Sequence, residues 1–153
     1  MNFFCERLLA LLCQGIVERC LDVEITESAM MQNKNVTVSV LQRLKGIGIT
    51  VSLDDFGTGY SSLSYLKRLS IDVLKMDRSF VSGLDSTGPD KAIAKAIINL
   101  AHELELEVIA EGVEREPQLR LLKAQGCDLV QGYLIDRPMP ADEFARRWLS
   151  RAS

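Results

Sequence analysis

Residues 52–63 read SLDDFGTGYSSL, where an apolar run from Ile47 stops on two adjacent acids, Asp54 and Asp55. A glycine-punctuated turn follows, made of Phe56, Gly57, Thr58 and Gly59. Two like charges side by side cost free energy unless a positive group lies between them. The stretch therefore predicts a β-strand whose end presents two carboxylates to a cation.

The period of a β-strand makes this pair of acids unusual. In a continuing strand, Asp54 and Asp55 would point to opposite faces of the sheet. We therefore expect the strand to end at Asp54. Gly57 and Gly59 would then let the backbone turn, so that both carboxylates reach one site.

Short β-branched runs alternate with longer amphipathic ones along the rest of the chain. Strands are predicted at residues 21–26, 49–54, 71–76, 107–110 and 128–131. Helices are predicted at residues 3–12, 36–45, 61–68, 92–104, 118–124 and 141–149. This alternation predicts an α/β fold, in which about five parallel strands are covered by helices.

Every predicted strand finishes on charged or amide side chains. Strand ends of a parallel sheet meet on one face, and that face carries the site. Helix caps or solvated loops would explain such residues at one strand, but for five strands a shared site is the better interpretation. The residues concerned are Glu24, Glu27, Asp54, Asp55, Lys75, Glu111, Glu114 and Gln131.

The predicted cluster is rich in carboxylates and has Lys75 as its one cation. Such charge density implies bound divalent ions, and all-oxygen ligands select Mg²⁺ or Mn²⁺ over Zn²⁺. Two such ions can clamp a phosphodiester and generate hydroxide for in-line attack. His102, the sole histidine, lies in a helical pattern and is interpreted as structural, which excludes a histidine-based zinc site.

Two architectures suit these element lengths, a doubly wound sheet and a (β/α)8 barrel. The glycine-rich GxGxxG and GxxxxGK[ST] patterns that favour a doubly wound nucleotide-binding sheet do not occur in the sequence. The barrel is therefore the favoured interpretation.

Composition limits the class of protein. The 153 residues carry a net charge of −3, which argues against DNA or RNA as partners. No predicted segment is apolar enough to span a membrane, and no secretory signal is apparent, so we expect a cytoplasmic protein. The cysteines lack CxxC spacing and are interpreted as packing residues: Cys5, Cys13, Cys20 and Cys127.

Five segments together resemble one known family. They are VEITES at 23–28, DDFGTGYSSL at 54–63, DVLKMDRSFV at 72–81, VIAEGVE at 108–114 and QGYL at 131–134. The sequence resembles the EAL domain family, the phosphodiesterases that linearise cyclic di-GMP. The resemblance covers essentially the whole chain, and it implies a TIM-like barrel that binds two Mg²⁺ or Mn²⁺ ions and cyclic di-GMP.

The resemblance also implies residue roles. Glu24 matches a ligand of the first metal, and Asp54 matches the carboxylate that bridges both metals. Asp55 and Glu111 match ligands of the second metal. Lys75 matches the lysine that positions the attacking water, so the catalytic group implied is Lys75, Glu111 and Asp54.

Further positions match supporting residues of the family. Gln131 and Glu114 correspond to residues around the attacking water and the substrate. Glu27 corresponds to the acid that secures the mobile loop containing Phe56, Gly57, Thr58 and Gly59.

Part of the family's pattern is not found in this sequence. The glutamate of the EAL tripeptide and an asparagine on the following strand complete the first metal's ligands in the family, and neither motif occurs here. We therefore expect a single partial domain over residues 1–153, an incomplete TIM-like barrel about 100 residues shorter than a typical one. Its open edges predict a homodimer or a partner chain that completes the barrel.

Three functions are consistent with these observations. The first is hydrolysis of cyclic di-GMP to linear pGpG, with little or no turnover expected from this chain alone. The second is a non-catalytic module that binds the nucleotide or another protein. The third is a truncated reading frame without independent function.

Overall fold

The computed structural model describes residues 21–32, 34–59, 63–85 and 88–149. The predicted helix at 3–12 and three of the cysteines lie outside the described residues, as do residues 61 and 62 of the predicted helix at 61–68. None of the helices in the described part of the chain is both long and apolar enough to cross a bilayer.

Strands and helices alternate throughout the described residues. The strands are β1 (Asp22–Thr26), β2 (Thr50–Phe56), β3 (Val73–Met76), β4 (Glu107–Ala110) and β5 (Leu129–Val130). The helices are α1 (Glu27–Gln32), α2 (Lys34–Gly46), α3 (Leu63–Leu66), α4 (Arg78–Ser82), α5 (Asp90–Glu103), α6 (Glu116–Ala124) and α7 (Ala141–Trp148).

The five strands form one sheet in the order β1-β2-β3-β4-β5, and every pairing is parallel. The predicted parallel sheet of five strands is therefore confirmed. Two short helices, α1 and α4, were not predicted; α1 begins directly after β1, and α4 begins two residues after the end of β3.

One face of the sheet packs against the helices. Its strand residues are fully buried apolar side chains, among them Val51, Leu53, Leu74, Met76, Val108 and Ala110. They belong to one apolar cluster with residues of the covering helices, including Leu41, Leu44, Ile97, Ile98 and Leu122. Because burial of apolar surface is the main driving force for folding, this layer fixes the sheet against its helices.

The opposite face of the sheet carries the polar residues of the predicted site. Thr26 pairs with Asp54, so Glu24 and Asp54 share a face, because side chains alternate along each strand. Ser52 pairs with Val73, and Lys75 pairs with Ile109. By the same alternation, Lys75 and Glu111 extend from that face too.

The structure corrects the predicted end of β2. This strand continues through both acids to Phe56, and it contains a bulge relative to β3. Leu53 pairs with Leu74 and Phe56 with Met76, so β2 uses one more residue than β3 over this interval. Asp55 has a left-handed backbone, with φ of 56°. The change of direction therefore begins at Asp55, before Gly57.

Candidate active site

Lys75 lies at the centre of the polar face. Its Nζ is 2.8 Å from Glu24 Oε1, 3.2 Å from Asp54 Oδ1 and 2.7 Å from Glu111 Oε1. The lysine side chain is only 6% exposed, whereas Asp54 and Glu111 are each 20% exposed and Glu24 is 50% exposed. Four neighbouring strands or their ends thus bring three carboxylates to one ammonium group.

The electrostatics of this cluster keep Lys75 charged. Burial by itself lowers the pKa of Lys75, but hydrogen bonds with Glu111 and Glu24 and the charge of Asp54 raise it more. The net effect is a pKa well above the ordinary value for lysine. Lys75 is therefore a donor of hydrogen bonds at neutral pH, and it cannot accept a proton there.

Asp54 carries an oxygen with spare acceptor capacity. Its Oδ1 is buried and receives no hydrogen bond, although the Lys75 ammonium lies 3.2 Å away. A buried carboxylate oxygen without a hydrogen bond is costly, and a hard cation such as Mg²⁺ or Mn²⁺ would satisfy it. The donor chemistry of the cluster fits such an ion.

The ligand set predicted from the sequence is brought together only in part. Within the described residues, no three acidic, histidine or cysteine side chains are arranged so that they could share one metal ion. The structure unites Glu24, Asp54 and Glu111 around Lys75, but no hydrogen bond or ion pair described for the chain joins the Asp55 carboxylate to them.

The loop after β2 begins with a tight turn. Thr58 donates to the Asp55 carbonyl through its amide, at 3.3 Å, and through its hydroxyl, at 2.9 Å. Phe56 is buried, while the next three residues are exposed. At Gly57, whose φ is 99°, a Cβ atom would lie 2.6 Å from the Phe80 ring, so both the backbone and the space require glycine.

Glu27 connects this loop to the start of α1. Its side chain is buried, and its Oε2 accepts hydrogen bonds from the amides of Gly57, at 3.0 Å, and Gly59, at 3.2 Å. A Cβ atom at Gly59 would lie 2.7 Å from Glu27 Oε1. One carboxylate therefore fixes two amides of the loop that follows the paired aspartates.

The two remaining predicted residues lie at the sides of the cluster. Glu114 is exposed and lines a cleft of about 380 Å³ between α4 and the segment after β4. Gln131 is exposed and lines a groove of about 1010 Å³ between β5 and α7. Neither side chain is joined to Lys75 by a contact that the structure describes.

Two residues near the site were given no role in the predicted site. Asp77 follows β3 directly and caps α4, since its Oδ1 accepts from the Ser79 amide at 2.9 Å. Burial raises the pKa of Asp77, but the hydrogen bonds from Ser79 lower it more. The spacing of Asp77 and Ser79 after a strand is a capping signal that could have been recognised.

Gln118 is the second such residue. It is buried in the first turn of α6, and its side-chain oxygen accepts from the amides of Glu114 and Arg115. A glutamine at the third helical position is the second half of a capping box, which the sequence EREPQ at 114–118 contains.

Comparison with known proteins identifies the family of the chain. The family model described as "EAL domain" matches residues 1–138. The chain belongs to the EAL domain family. Its five-stranded parallel sheet is accordingly part of a TIM-barrel-like fold.

Three relatives illustrate the similarity. The cyclic di-GMP phosphodiesterase NbdA of Pseudomonas aeruginosa is 48% identical over 137 residues, which are 88% of this chain and 18% of NbdA. The phosphodiesterase PaMucR, solved as a c-di-GMP complex, is 44% identical with a TM-score of 0.85, over 90% of this chain and 56% of that one. Klebsiella pneumoniae BlrP1, solved as a manganese and cy-diGMP complex, is 32% identical with a TM-score of 0.80, and the match covers 88% of this chain and 34% of the BlrP1 chain.

The chain spans only a small part of the curated relatives it matches, about a fifth of their length. The similarity therefore concerns one domain of proteins that are several times longer.

Proposed function

We propose that this chain carries the catalytic face of a cyclic di-GMP phosphodiesterase, which hydrolyses the cyclic dinucleotide to linear pGpG. The observation that carries the proposal is the Lys75 cluster, in which three carboxylates from different strands meet one buried ammonium in an EAL domain. NbdA and PaMucR, which are named phosphodiesterases, support the choice of reaction.

The metal-binding role falls to the carboxylates. Glu24, Asp54, Asp55 and Glu111 would hold Mg²⁺ or Mn²⁺, and the buried oxygen of Asp54 that receives no hydrogen bond supports this assignment. The manganese complex of BlrP1 supports the choice of a hard divalent ion. When bound, such ions supply charge neutralisation at the phosphodiester and an activated water.

Lys75 would orient the attacking water rather than abstract a proton from it. Because its pKa is raised, its ammonium stays protonated and can donate only hydrogen bonds. Two of its three N–H groups suffice for Glu24 and Glu111, so a third can reach a water or a phosphate oxygen. Lys75 would thus fix the position of the attacking water relative to Glu111 and Asp54.

The supporting residues would act at the edges of the site. Glu27 would set the position of the loop at 56–59 through the amides of Gly57 and Gly59. Glu114 and Gln131 would contact the water or the dinucleotide from either side. A second copy or a partner chain that completes the barrel would cover the outer edges of β1 and β5, which pair with no further strand among the described residues. A reducing cytoplasm suits the free thiol of Cys127.

The test uses the purified 153-residue chain with cyclic di-GMP and Mn²⁺. We expect Mn²⁺-dependent binding by calorimetry and slow formation of pGpG by chromatography, both lost in Asp54→Ala. The matched control is Glu103→Gln, an exposed acid on α5 far from the cluster in sequence, which should leave both unchanged.

The outcomes separate the candidate functions. Loss of pGpG formation in Asp54→Ala but not in Glu103→Gln supports a phosphodiesterase. Binding of the dinucleotide without any product would instead identify a nucleotide-binding module. Absence of both binding and product would contradict the proposal.

A further inference from the structure

A buried glutamine in α6 connects the backbone of helix α4 with that of the segment after β4. Gln118 is 2% exposed, and both ends of its side-chain amide are hydrogen-bonded. Its Oε1 accepts from the amides of Glu114, at 3.0 Å, and Arg115, at 2.9 Å. Its Nε2 donates to the carbonyl of Val81 at 3.1 Å. All three partners are main-chain groups, so Gln118 constrains backbone position.

The two segments that Gln118 joins follow adjacent strands. Residues 111–115 follow β4 and begin with Glu111, a member of the cluster around Lys75. Val81 lies in α4, which follows β3, the strand that carries Lys75. The glutamine amide therefore bridges α4, which follows the strand of Lys75, and the segment that contains Glu111. Lys75 and Glu111 form the shortest ion pair of the site, at 2.7 Å.

Further contacts enclose the segment 111–115. Val113 donates to the Gln131 carbonyl at 3.0 Å, and the Val113 carbonyl accepts from Leu134 at 3.0 Å. At Gly112, whose φ is 70°, a Cβ atom would lie 2.5 Å from Arg78 Cβ. The segment is thus wedged between the residues after β3 and those after β5.

Arg115 makes a second connection to the same side, but an exposed one. Its guanidinium donates to the Ser82 carbonyl at 2.8 Å and pairs with Asp85 at 2.6 Å, and the Arg115 side chain is 53% exposed. Exposed ion pairs contribute little and are screened by salt. The buried amide of Gln118 is the connection that can hold the segment to a fraction of an ångström, as a catalytic geometry requires.

We propose that Gln118 is a positioning residue, which sets the direction of the Glu111 carboxylate toward Lys75 and the metal-binding face by clamping residues 114–115 to α4. This inference rests on the proposed function, because it assigns Gln118 to the same site. The side chain must accept two hydrogen bonds and donate one, and glutamine does both without an ionisable group. Gln118→Glu retains the acceptors and, when ionised, cannot donate to Val81. Gln118→Met retains the volume alone.

The first test is a double-mutant cycle on stability that needs no metal. Urea unfolding is measured for Gln118→Met, Glu111→Gln and the double variant. Among the described contacts, none joins the Gln118 and Glu111 side chains, so a merely structural Gln118 gives additive effects. We expect the double variant to depart from additivity by about threefold or more in the unfolding equilibrium constant. Additive effects would overturn the proposal.

The second test measures Mn²⁺ affinity by calorimetry, at a temperature where every variant is fully folded. We expect Gln118→Met to bind Mn²⁺ about tenfold more weakly than the parent chain, with Gln118→Glu in between. The matched control is Gln125→Met, because Gln125 also donates to a backbone carbonyl, that of Lys91, but at the far end of α6. Its variant should lose stability and keep the parent's affinity.

The two tests fail independently. If the parent chain binds no Mn²⁺ while the cycle is non-additive, the metal-binding function is wrong and the positioning of Glu111 by Gln118 stands. If the parent binds Mn²⁺ and Gln118→Met binds it equally well, Gln118 has no positioning role.

Discussion

Asp55 adopts a backbone conformation that glycine would adopt at lower cost. Its φ of 56° lies in the left-handed region, which costs an L-residue about 1 kcal/mol or more, although aspartate tolerates it better than most. The residue lies in a bulge of β2, directly after Asp54. The metal-binding role proposed above for its side chain would compensate for this backbone strain.

This strain predicts how substitutions at position 55 differ. Asp55→Gly removes the carboxylate and relieves the backbone, whereas Asp55→Ala removes the same carboxylate and keeps the strain. We expect the glycine variant to be more stable than the alanine variant by about 1 kcal/mol in urea unfolding. Both should bind Mn²⁺ equally weakly. Equal stability of the two variants would show that the left-handed conformation carries no cost.

Single residues also show where sequence reasoning stops. Lys75, Glu24 and Glu111 could be placed near one another from the strand pattern alone, because the ends of parallel strands meet on one side of a sheet. The bulge at Asp55 could not be predicted, because the sequence signal for a left-handed residue is glycine, and the glycine that follows, Gly57, lies two positions further along the chain. The roles of the predicted site residues remain proposals that the tests above address.

Helices and strands differ in how well the pattern predicted them. Amphipathic helices such as α5, Asp90–Glu103, are long enough to show their period, and the prediction at 92–104 nearly coincides with it. The helices α1 and α4 have six and five residues, which is too short for a periodic signal. They form because a cap or a packed side chain supports them, as Asp77 does for α4.

His102 and Asp128 link α5 to the start of β5. His102 Nε2 lies 2.9 Å from Asp128 Oδ2, which also accepts from the Val108 amide of β4 at 2.9 Å. Burial raises the pKa of Asp128, but the hydrogen bonds from His102 and Val108 lower it more. The structural role assigned to His102 agrees with this position, at the entry of β5.

The lowered pKa of Asp128 predicts a pH dependence of stability. A carboxyl whose pKa is lower in the folded state stabilises the protein above its unfolded pKa, about 3.9, and this contribution is lost as pH falls through the folded value. Asp128→Asn should therefore cost about 0.5–1 kcal/mol at pH 7, since the side chain is partly exposed. The difference should be smaller at acid pH, below the lowered folded pKa of Asp128, than at pH 7.

Urea unfolding of the parent chain and of Asp128→Asn, at pH 7 and at acid pH, measures this difference in stability. Glu103→Gln, an exposed acid on the same helix as His102, is the control and should show no such dependence. A difference that is equal at both pH values would assign the effect to packing instead of charge.

Across the whole sheet, the two faces have opposite character. The helix-facing side is apolar and fully buried, while the other side concentrates three carboxylates around one buried lysine. The sequence predicted that helices cover the apolar strands and that the charged residues meet at the strand ends, because parallel strands end on the same side of the sheet. The distances between the charged side chains depend on side-chain conformations and strand registers that the sequence pattern does not encode.

Lys75 balances the negative charge of the polar face, and we expect its removal to cause a large loss of stability. Lys75→Met keeps the length of the side chain and leaves Glu24, Asp54 and Glu111 without their shared cation. Removing one partner of a buried ion pair costs about 3–5 kcal/mol of stability. Because Glu24 is half-exposed, we expect a loss at the lower end of this range, about 3 kcal/mol. Lys123→Met, an exposed lysine on α6, should change stability by less than about 0.5 kcal/mol.

A companion variant separates charge balance from packing. If mutual repulsion of the carboxylates causes the loss, adding Glu111→Gln to Lys75→Met removes one of the three charges and restores part of the stability. Denaturant unfolding of the two variants at low salt decides this, because screening is weakest there. If the second substitution lowers stability further, the cost comes from the lost packing of the lysine stem, and Lys75 does not organise the face by its charge.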